Sequence, residues 1–567
     1  MTAIGEWAMW LALALAAATV ILSVAGALRE RSELAALARG TTYATLAAIF
    51  VVVTGLFSAL FARDFTLRFV ATNTSVNLPR LYTGAALWAG QQGSLLFWIL
   101  GLSACAAVAA LQMRKADPHR SWVIAVLGAV VLYFLGVLVT GANPFVRMDW
   151  APADGLGMSP RLQVPAMLLH PPLLTAALVS TSVPFAFALG ALITRRYDTE
   201  TVRRLYGWSV LAWFLLTLSI LHGLWWDYTA PEWSGRWPRD IARDSVLLPW
   251  LGSSALLYAA KGSTQRSVPR VRLWIMALAV MTFVLALASA YLARAGTIDS
   301  VHAYAPSPMA KGFLILGAIA VLLLIHLVRT RLVDFSAELA NASAVTRSSG
   351  FMPRAHWPLL VGVVILFTGL AGLMFRKEAR LTLATGASEN ANDPLGRTWT
   401  FTSQGISLYT ELNKQLLVAS LSLGREGRRV GMLTAEQRQF IDAEENLTSK
   451  PIAVPDIDHS LLQDVRVSLL RPVDRGTALI QIEFVPLASW IWFGGLLTAI
   501  GGVVLAMSNQ PKHNDDDAVP SRVSNNEVEA AIRRASEALV SCPECGPRPE
   551  PDALYCSNCG MKLRAQS

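Results

Sequence analysis

The sequence predicts a polytopic α-helical membrane protein of roughly eleven transmembrane helices, with a small β domain and a cysteine-bearing tail. Three observations carry this reading. Of 567 residues, 54% are hydrophobic and only 15% charged, a balance foreign to soluble globular domains. Apolar runs of about 17–23 residues recur, each long enough to cross roughly 30 Å of hydrocarbon as a helix. Loops rich in Lys and Arg alternate with loops that are not.

The apolar runs lie near 7–27, 41–62, 92–113, 121–140, 173–194, 206–225, 246–260, 273–293, 312–328, 357–375 and 489–507. The run near 246–260 is short. No basic region precedes the first run, and Arg29 and Arg31 follow it, so it reads as a span rather than a cleaved signal. The net charge of +9 is concentrated in alternate loops: Arg29, Arg31 and Arg39; Arg114, Lys115 and Arg120; Arg195, Arg196, Arg203 and Arg204; Lys261, Arg266, Arg270 and Arg272; Arg329, Arg331, Arg347 and Arg354. The positive-inside rule makes these loops cytoplasmic, the N-terminus periplasmic and the C-terminus cytoplasmic. The basic charge is thus a topology signal, and no nucleic-acid partner is expected.

Five segments follow from this pattern. A transmembrane domain spans 1–375 and holds a Trp-rich external loop at 221–258. Residues 376–488 contain alternating stretches, "TWTFTSQGISLYTEL", "LLVASLSLG", "DVRVSLLRPV" and "ALIQIEFVPL", separated by Gly, Asn, Asp and Pro, which predicts a periplasmic β domain. The last span is 489–507, followed by a polar linker at 508–540 and a cysteine unit at 541–567.

That unit carries two CxxC pairs, Cys542/Cys545 and Cys556/Cys559, with Gly546 and Gly560 after them. Each CxxC turn presents two thiolates to one ion, so the spacing fits a four-cysteine, structural Zn²⁺ ribbon. Two disulfides are the alternative; a reducing cytoplasm disfavours them. Cys105 lies within a span and reads as packing.

The chain has eight histidines. His170 and His302 fall at external span ends; His326 and His356 fall at cytoplasmic ones. Any one alone is explained as an interfacial polar group. Trp225, Trp226, Trp233, Trp237 and Trp250 crowd the loop between them, with Arg236, Arg239 and Arg243 interspersed. An aromatic belt at the membrane interface accounts for Trp225, Trp226 and Trp250; it does not account for the mid-loop Trp233 and Trp237. A planar apolar macrocycle needs flat aromatic surface, axial imidazoles and cations for its carboxylates, and the loop offers all three.

Motifs along roughly residues 1–510 resemble the CcmF-type subunit of the cytochrome c haem lyase, within the haem-handling superfamily defined by a Trp-rich "WWD" loop. They are "IGEWAMWLALALA", "ALWAGQQGSLLFW", "NPF" at Asn143–Phe145, "HPPLL" at His170–Leu174, "LLPWLGSSALL", "SVHAYA" and "WIWFGG" at Trp490–Gly495. The resemblance implies a bacterial inner-membrane protein that presents haem b on the periplasmic side for covalent attachment to the CxxCH thiols of apocytochrome c. A haem chaperone and other maturation subunits are its implied partners, besides membrane lipid. It implies His170 and His302 as axial ligands, with Trp225, Trp226, Trp233, Trp237, Trp250 and Asp240 shaping the loop and Arg236 and Arg239 meeting propionates.

The sequence also departs from the family. The family's loop runs close to WGGxWFWDPVENAS; here "WSGRWPRDIARDSV" puts Pro238 and Arg239 where a Phe and a Trp stand. Gln91 and Gln92 replace a His-Glu pair. The family's second, intramembrane haem uses two histidines; His356 resembles one, and Tyr258 occupies the other's position, with His326 as a substitute. About four spans between His302 and the β domain are absent, and the cysteine unit lies outside the family pattern. Weaker haem binding is expected. A non-catalytic assembly scaffold of the same fold is the alternative, and whether the chain is itself a lyase is left open.

Overall fold

In the computed structural model, residues 1–113, 119–197, 199–230, 240–260, 269–296, 300, 302–339, 357–442, 446–474, 476–508, 545, 555–556 and 558–561 are described. The apolar runs form helices, several of which, such as α1, α2 and α9, reach past the runs themselves. The helices are α1 (Thr2–Leu28), α2 (Ser32–Ala62), α3 (Arg68–Asn73), α4 (Arg80–Ala89), α5 (Gln91–Gln112), α6 (Arg120–Gly141), α7 (Ala166–Ser180), α8 (Ser182–Thr194), α9 (Thr199–Thr229), α10 (Ile241–Asp244), α11 (Leu247–Ala260), α12 (Pro269–Arg294), α13 (Ala310–Leu339), α14 (Trp357–Gly372) and α15 (Ala488–Ser508). Helices α7 and α8 form one bent span, Ala166–Thr194.

Ten helices among the described residues are long and apolar enough to cross a membrane. The eleventh crossing is α11, whose 14 residues rise only about 21 Å. It runs antiparallel to α9. Near its start the Trp250 indole donates to Thr217 Oγ1 at 2.9 Å; further along, Trp213 Nε1 donates to Ser254 Oγ at 2.9 Å and Ser253 Oγ to Ser209 O at 3.3 Å. Ser245, just ahead of α11, bonds Ser289 near the end of α12 at 2.8 Å, so α12 runs back toward the same end as α9. The chain therefore changes face along α11, which makes eleven crossings among the described residues.

Close backbone approach fixes the last pair of helices. A Cβ placed on Gly494 of α15 would sit 2.3 Å from Leu366 N of α14, and one on Gly501 would sit 2.4 Å from Leu359 N. Small residues let two helices touch where lipid offers no hydrophobic drive to pair them.

Between α14 and α15 lie nine strands: β1 (Lys377–Ala384), β2 (Ser388–Asn392), β3 (Thr398–Glu411), β4 (Lys414–Arg425), β5 (Arg428–Phe440), β6 (Ile452–Val454), β7 (Asp456–Asp458), β8 (Gln463–Pro472) and β9 (Thr477–Pro486). They form two antiparallel sheets, ordered β1-β9-β8-β7 and β2-β3-β4-β5-β6. Alternate residues along parts of β1, β3 and β4 turn inward, as the two-residue period requires, whereas β8 is buried on both faces from Gln463 to Leu469. Phe401, Leu421, Leu423 and Ala435 from one sheet meet Val467, Ile480, Ile482 and Phe484 from the other in a shared core. The four stretches singled out in the sequence are β3, β4, β8 and β9. β5, "RRVGMLTAEQRQF", is mostly polar and gives a weak alternation signal.

A buried polar joint ties this domain to the helices. Arg466 pairs with Glu483 and donates to Ala230 O at 2.7 Å, beyond the end of α9. Tyr228 OH donates to Asp464 Oδ2 at 2.9 Å. The β domain thus stands on the membrane face where α9 ends.

Candidate functional site

The predicted Trp-rich loop is shorter than its sequence suggests. Trp225, Trp226 and Asp227 belong to the last turns of α9, which continues to Thr229 because no breaker precedes Pro231. Trp233, Arg236, Trp237 and Arg239 lie outside the described residues, as do His356 and Cys542.

After the loop, Asp240 starts α10 as its N-cap. Its Oδ1 accepts from Ala242 N at 3.0 Å and Arg243 N at 3.2 Å, satisfying donors that a helix start leaves unpaired. Its Oδ2 accepts from Ser300 Oγ at 2.5 Å and lies 2.8 Å from His302 Nδ1. Burial pushes the Asp240 carboxyl up, but hydrogen bonds from His302 and Ser300, the His302 charge and the Arg243 N–H outweigh it and bring the pKa down to about 2. In the neutral imidazole, a carboxylate on Nδ1 fixes the ring's tautomer and leaves the lone pair on Nε2. His302 Nε2 is buried and has no hydrogen-bond partner among the described residues.

His170 comes from α7. Its ring lies 5.4 Å from the His302 ring, edge-on at 81°, and 5.6 Å from Trp226. Trp226 is 5.1 Å from His302. His222 of α9 stacks on His170 at 5.7 Å and 16°, a third imidazole that sequence reasoning left aside. The space for these rings depends on Gly223, where an added Cβ would come within 3.0 Å of His170 Cε1.

These groups border a cavity of about 220 Å³ lined by Trp88, Trp98, His170, Trp226, Arg294, His302 and Tyr304, among others. The "ALWAGQQGSLLFW" segment supplies one wall. Trp88 Nε1 donates to Met167 O at 2.9 Å, and the Tyr304 hydroxyl lies 2.9 Å from both Trp88 O and Ser94 Oγ. Gln91 donates its amide to Ala305 O, the last residue of the "SVHAYA" motif.

Other expected residues are placed elsewhere. Trp250 does not line the cavity; it stacks on Trp213 at 6.1 Å between α11 and α9. Trp225 touches the outer ring of the site, 5.3 Å from His222. Arg243 is already engaged by Asp227 and Asp244. Tyr258 is 82% exposed on α11, and His326 is exposed on α13.

The donor set fits a macrocycle held by imidazoles: two histidines line one cavity, each has a buried nitrogen without a partner among the described residues, His170 Nδ1 and His302 Nε2, and aromatic rings line the walls. With the rings in contact at 5.4 Å, a planar group enters between them only by parting them.

The tail, Lys512–Ser567, is a separate unit. The sulfurs of Cys545, Cys556 and Cys559 lie within 4.8 Å of one another. The second CxxC turn is closed by Gly560 N on Cys556 O at 2.8 Å, with Gly560 at φ +70°, a conformation that favours glycine. Three converging thiols fit a Zn²⁺ site.

Comparison with known proteins bears out the resemblance drawn from the motifs. Residues 88–296, which carry most of the cavity, match the family model described as cytochrome C assembly protein. The chain is 33% identical over 323 residues to the cytochrome c-type biogenesis protein CcmF of Haemophilus influenzae, covering 56% of this chain and 49% of that one. It is 33% identical over 368 residues to the cytochrome c-type biogenesis protein ccl1 of Rhodobacter capsulatus, covering 64% and 56%. For CcmF of Escherichia coli the identity is 35% over 323 residues, covering 56% and 49%. The chain thus spans about half the length of the curated relatives it matches. A solved structure named cytochrome c heme lyase CcmF shares the fold, with a TM-score of 0.67 and 20% identity over 89% of this chain and 97% of that one.

Proposed function

We propose that this chain is a haem-handling subunit of a cytochrome c maturation complex, presenting haem for attachment to apocytochrome c. The observation that carries the reading is His302, which lines the cavity beside His170, whose Nδ1 is held by an ionised Asp240 and whose Nε2 has no hydrogen-bond partner among the described residues. In haem proteins, axial imidazoles and the polarity around them set what the iron does. Trp226 walls the ligand side, and Asp240 orients His302. The attachment step adds each cysteine S–H of the apocytochrome across a haem vinyl group: sulfur bonds one vinyl carbon, and the proton ends on the other. Nothing is oxidised or reduced. The family's haem chaperone and partner subunits would deliver the haem. His356 and Tyr258 are proposed ligands for a second haem within the membrane.

The site and the β domain share one face, which we assign to the periplasm. Arg29, Arg31, Arg195, Arg196 and Arg203 lie at helix ends away from the site, as the positive-inside rule requires of a cytoplasmic face. A reporter fused after Ser508 reads this orientation.

The test expresses the protein with haem supply and records its visible and pyridine haemochrome spectra. A low-spin spectrum from two imidazoles is expected. His170→Ala and His302→Ala, made separately, should each abolish that signature and lower cytochrome c yield at least tenfold. Wild-type spectra and yield in both variants would sink the assignment, and absence of haem in the wild type would favour the scaffold.

The cysteine unit is proposed to hold one Zn²⁺ through Cys542, Cys545, Cys556 and Cys559. Metal analysis of the purified chain should give one zinc per chain, and Cys556→Ser together with Cys559→Ser should remove it. A wild type with no zinc would turn the reading toward disulfides.

A further inference from the structure

The geometry points to Arg294, rather than Arg243, as the anchor for a carboxylate of the ligand in this cavity; the inference rests on the haem reading above and names the contact for the anionic edge. Arg294 is the last residue of α12 and is 5% exposed. It lines the same cavity as His170 and His302. One terminal nitrogen donates to Ser94 Oγ at 2.7 Å and the other to Ala290 O at 3.3 Å; Nε is buried with no partner. Among the described residues no carboxylate pairs with it. Its guanidinium instead lies 4.9 Å from the Phe313 ring centre, 5.1 Å from Tyr304 and 5.8 Å from Trp98.

A buried cation without a counter-ion is costly, and aromatic faces offset only part of that cost. A guanidinium holds a carboxylate through two parallel N–H···O bonds. Arg243, by contrast, is already neutralised by Asp227 and Asp244, so it has less to offer an incoming anion. A flat apolar ligand with carboxylates at one edge would put its metal toward the histidines and its charged edge toward Arg294. Tyr304 and Ser94, bonded to one another and to this wall, would hold the guanidinium in place.

The experiment uses the full chain in detergent and two probes, iron protoporphyrin IX and its dimethyl ester, in which both carboxylates are replaced by neutral methyl esters. Wild type should bind the acid at least tenfold more tightly than the ester. Arg294→Gln should erase that preference while keeping the histidine-ligated spectrum, and Arg294→Lys should retain most of it. Equal wild-type affinity for the two probes overturns the inference, and so does an Arg294→Gln protein that still discriminates. The wild-type comparison decides alone if the glutamine variant does not accumulate. If neither probe gives a histidine-ligated spectrum, the haem reading fails and the carboxylate anchor falls with it.

Discussion

Two buried polar regions lie on the same face of this protein, and they are built on opposite terms. At the joint under the β domain, the buried acids Glu483 and Asp464 are met by opposite charges or by hydrogen-bond donors. Glu483 meets Arg376 at 2.5 Å and also pairs with Arg466. Asp464 accepts from Tyr228, His459, Ser460 N and Ser489. At the cavity, Trp98 Nε1, His170 Nδ1, Ser219 Oγ, Arg294 Nε and His302 Nε2 are buried and have no partner among the described residues. An unmade buried hydrogen bond costs roughly 1–3 kcal/mol, so a cluster of them around one cavity needs a reason. A matched network holds elements together; an unmatched one is complementary to something that arrives.

The sharpest way to break this contrast is at the joint. Glu483→Gln leaves Arg466 and Arg376 without their carboxylate. Removing one partner of a buried pair costs about 3–5 kcal/mol, so a large drop in unfolding temperature is expected, with the β domain's packing on α9 lost first. His170→Ala should leave that temperature within a degree or two of wild type in the absence of ligand. Thermal unfolding in detergent measures both. A Glu483→Gln protein as stable as wild type would show that the joint does not hold the two parts together.

Asp240 belongs to both kinds of region, since it caps α10 and also orients His302. Asp240→Asn can still cap but offers His302 a neutral partner. Loss of such an outer partner typically costs 10–100-fold in affinity for the bound metal centre, and a haem titration should show a loss in that range. The carboxyl's folded pKa is depressed to about 2. Its stabilising contribution is therefore complete above the unfolded value near 3.9 and lost as pH falls through the folded one. Wild type and Asp240→Asn should differ by a constant amount above pH 4 and converge toward pH 2.

The sequence made much of the scaffold legible because spans and alternating strands are periodic along the chain. His170, His302 and Asp240 were legible for a different reason, through motifs whose order along the chain matched a family. Arg294 was passed over. It ends a span on the face opposite the basic loops, where the positive-inside rule gives it no role, and that misfit was the available signal. His222 and Trp98 were hidden because a single polar or aromatic side chain within a helix does not say which way it points. Trp250 was drawn into the site by its nearness to the loop, whereas the helical turn carries it to Thr217 and Trp213. β5 stayed unread because its outward face is long and polar.

The smallest effect is expected at the edge of the joint. The hydrogen bond to Asp464 raises the His459 pKa; burial opposes this, and the charges of Asp464, Asp458 and Asp456 add to it. A raised folded pKa means that the contribution is fully present below the unfolded value near 6.5 and is lost as pH rises through the folded one. The side chain is half exposed, so solvent screens the pair, and its worth is that of a surface ion pair, well under that of the Glu483 network. Asp464 also keeps its bonds to Tyr228, Ser460 and Ser489 when His459 deprotonates. Unfolding temperatures of wild type and His459→Asn, measured from pH 5 to pH 9, should therefore differ slightly at the acid end and coincide at the alkaline end. A difference that grows with pH would mean that His459 is held neutral, and that Asp464 is matched by its hydroxyl and amide donors alone.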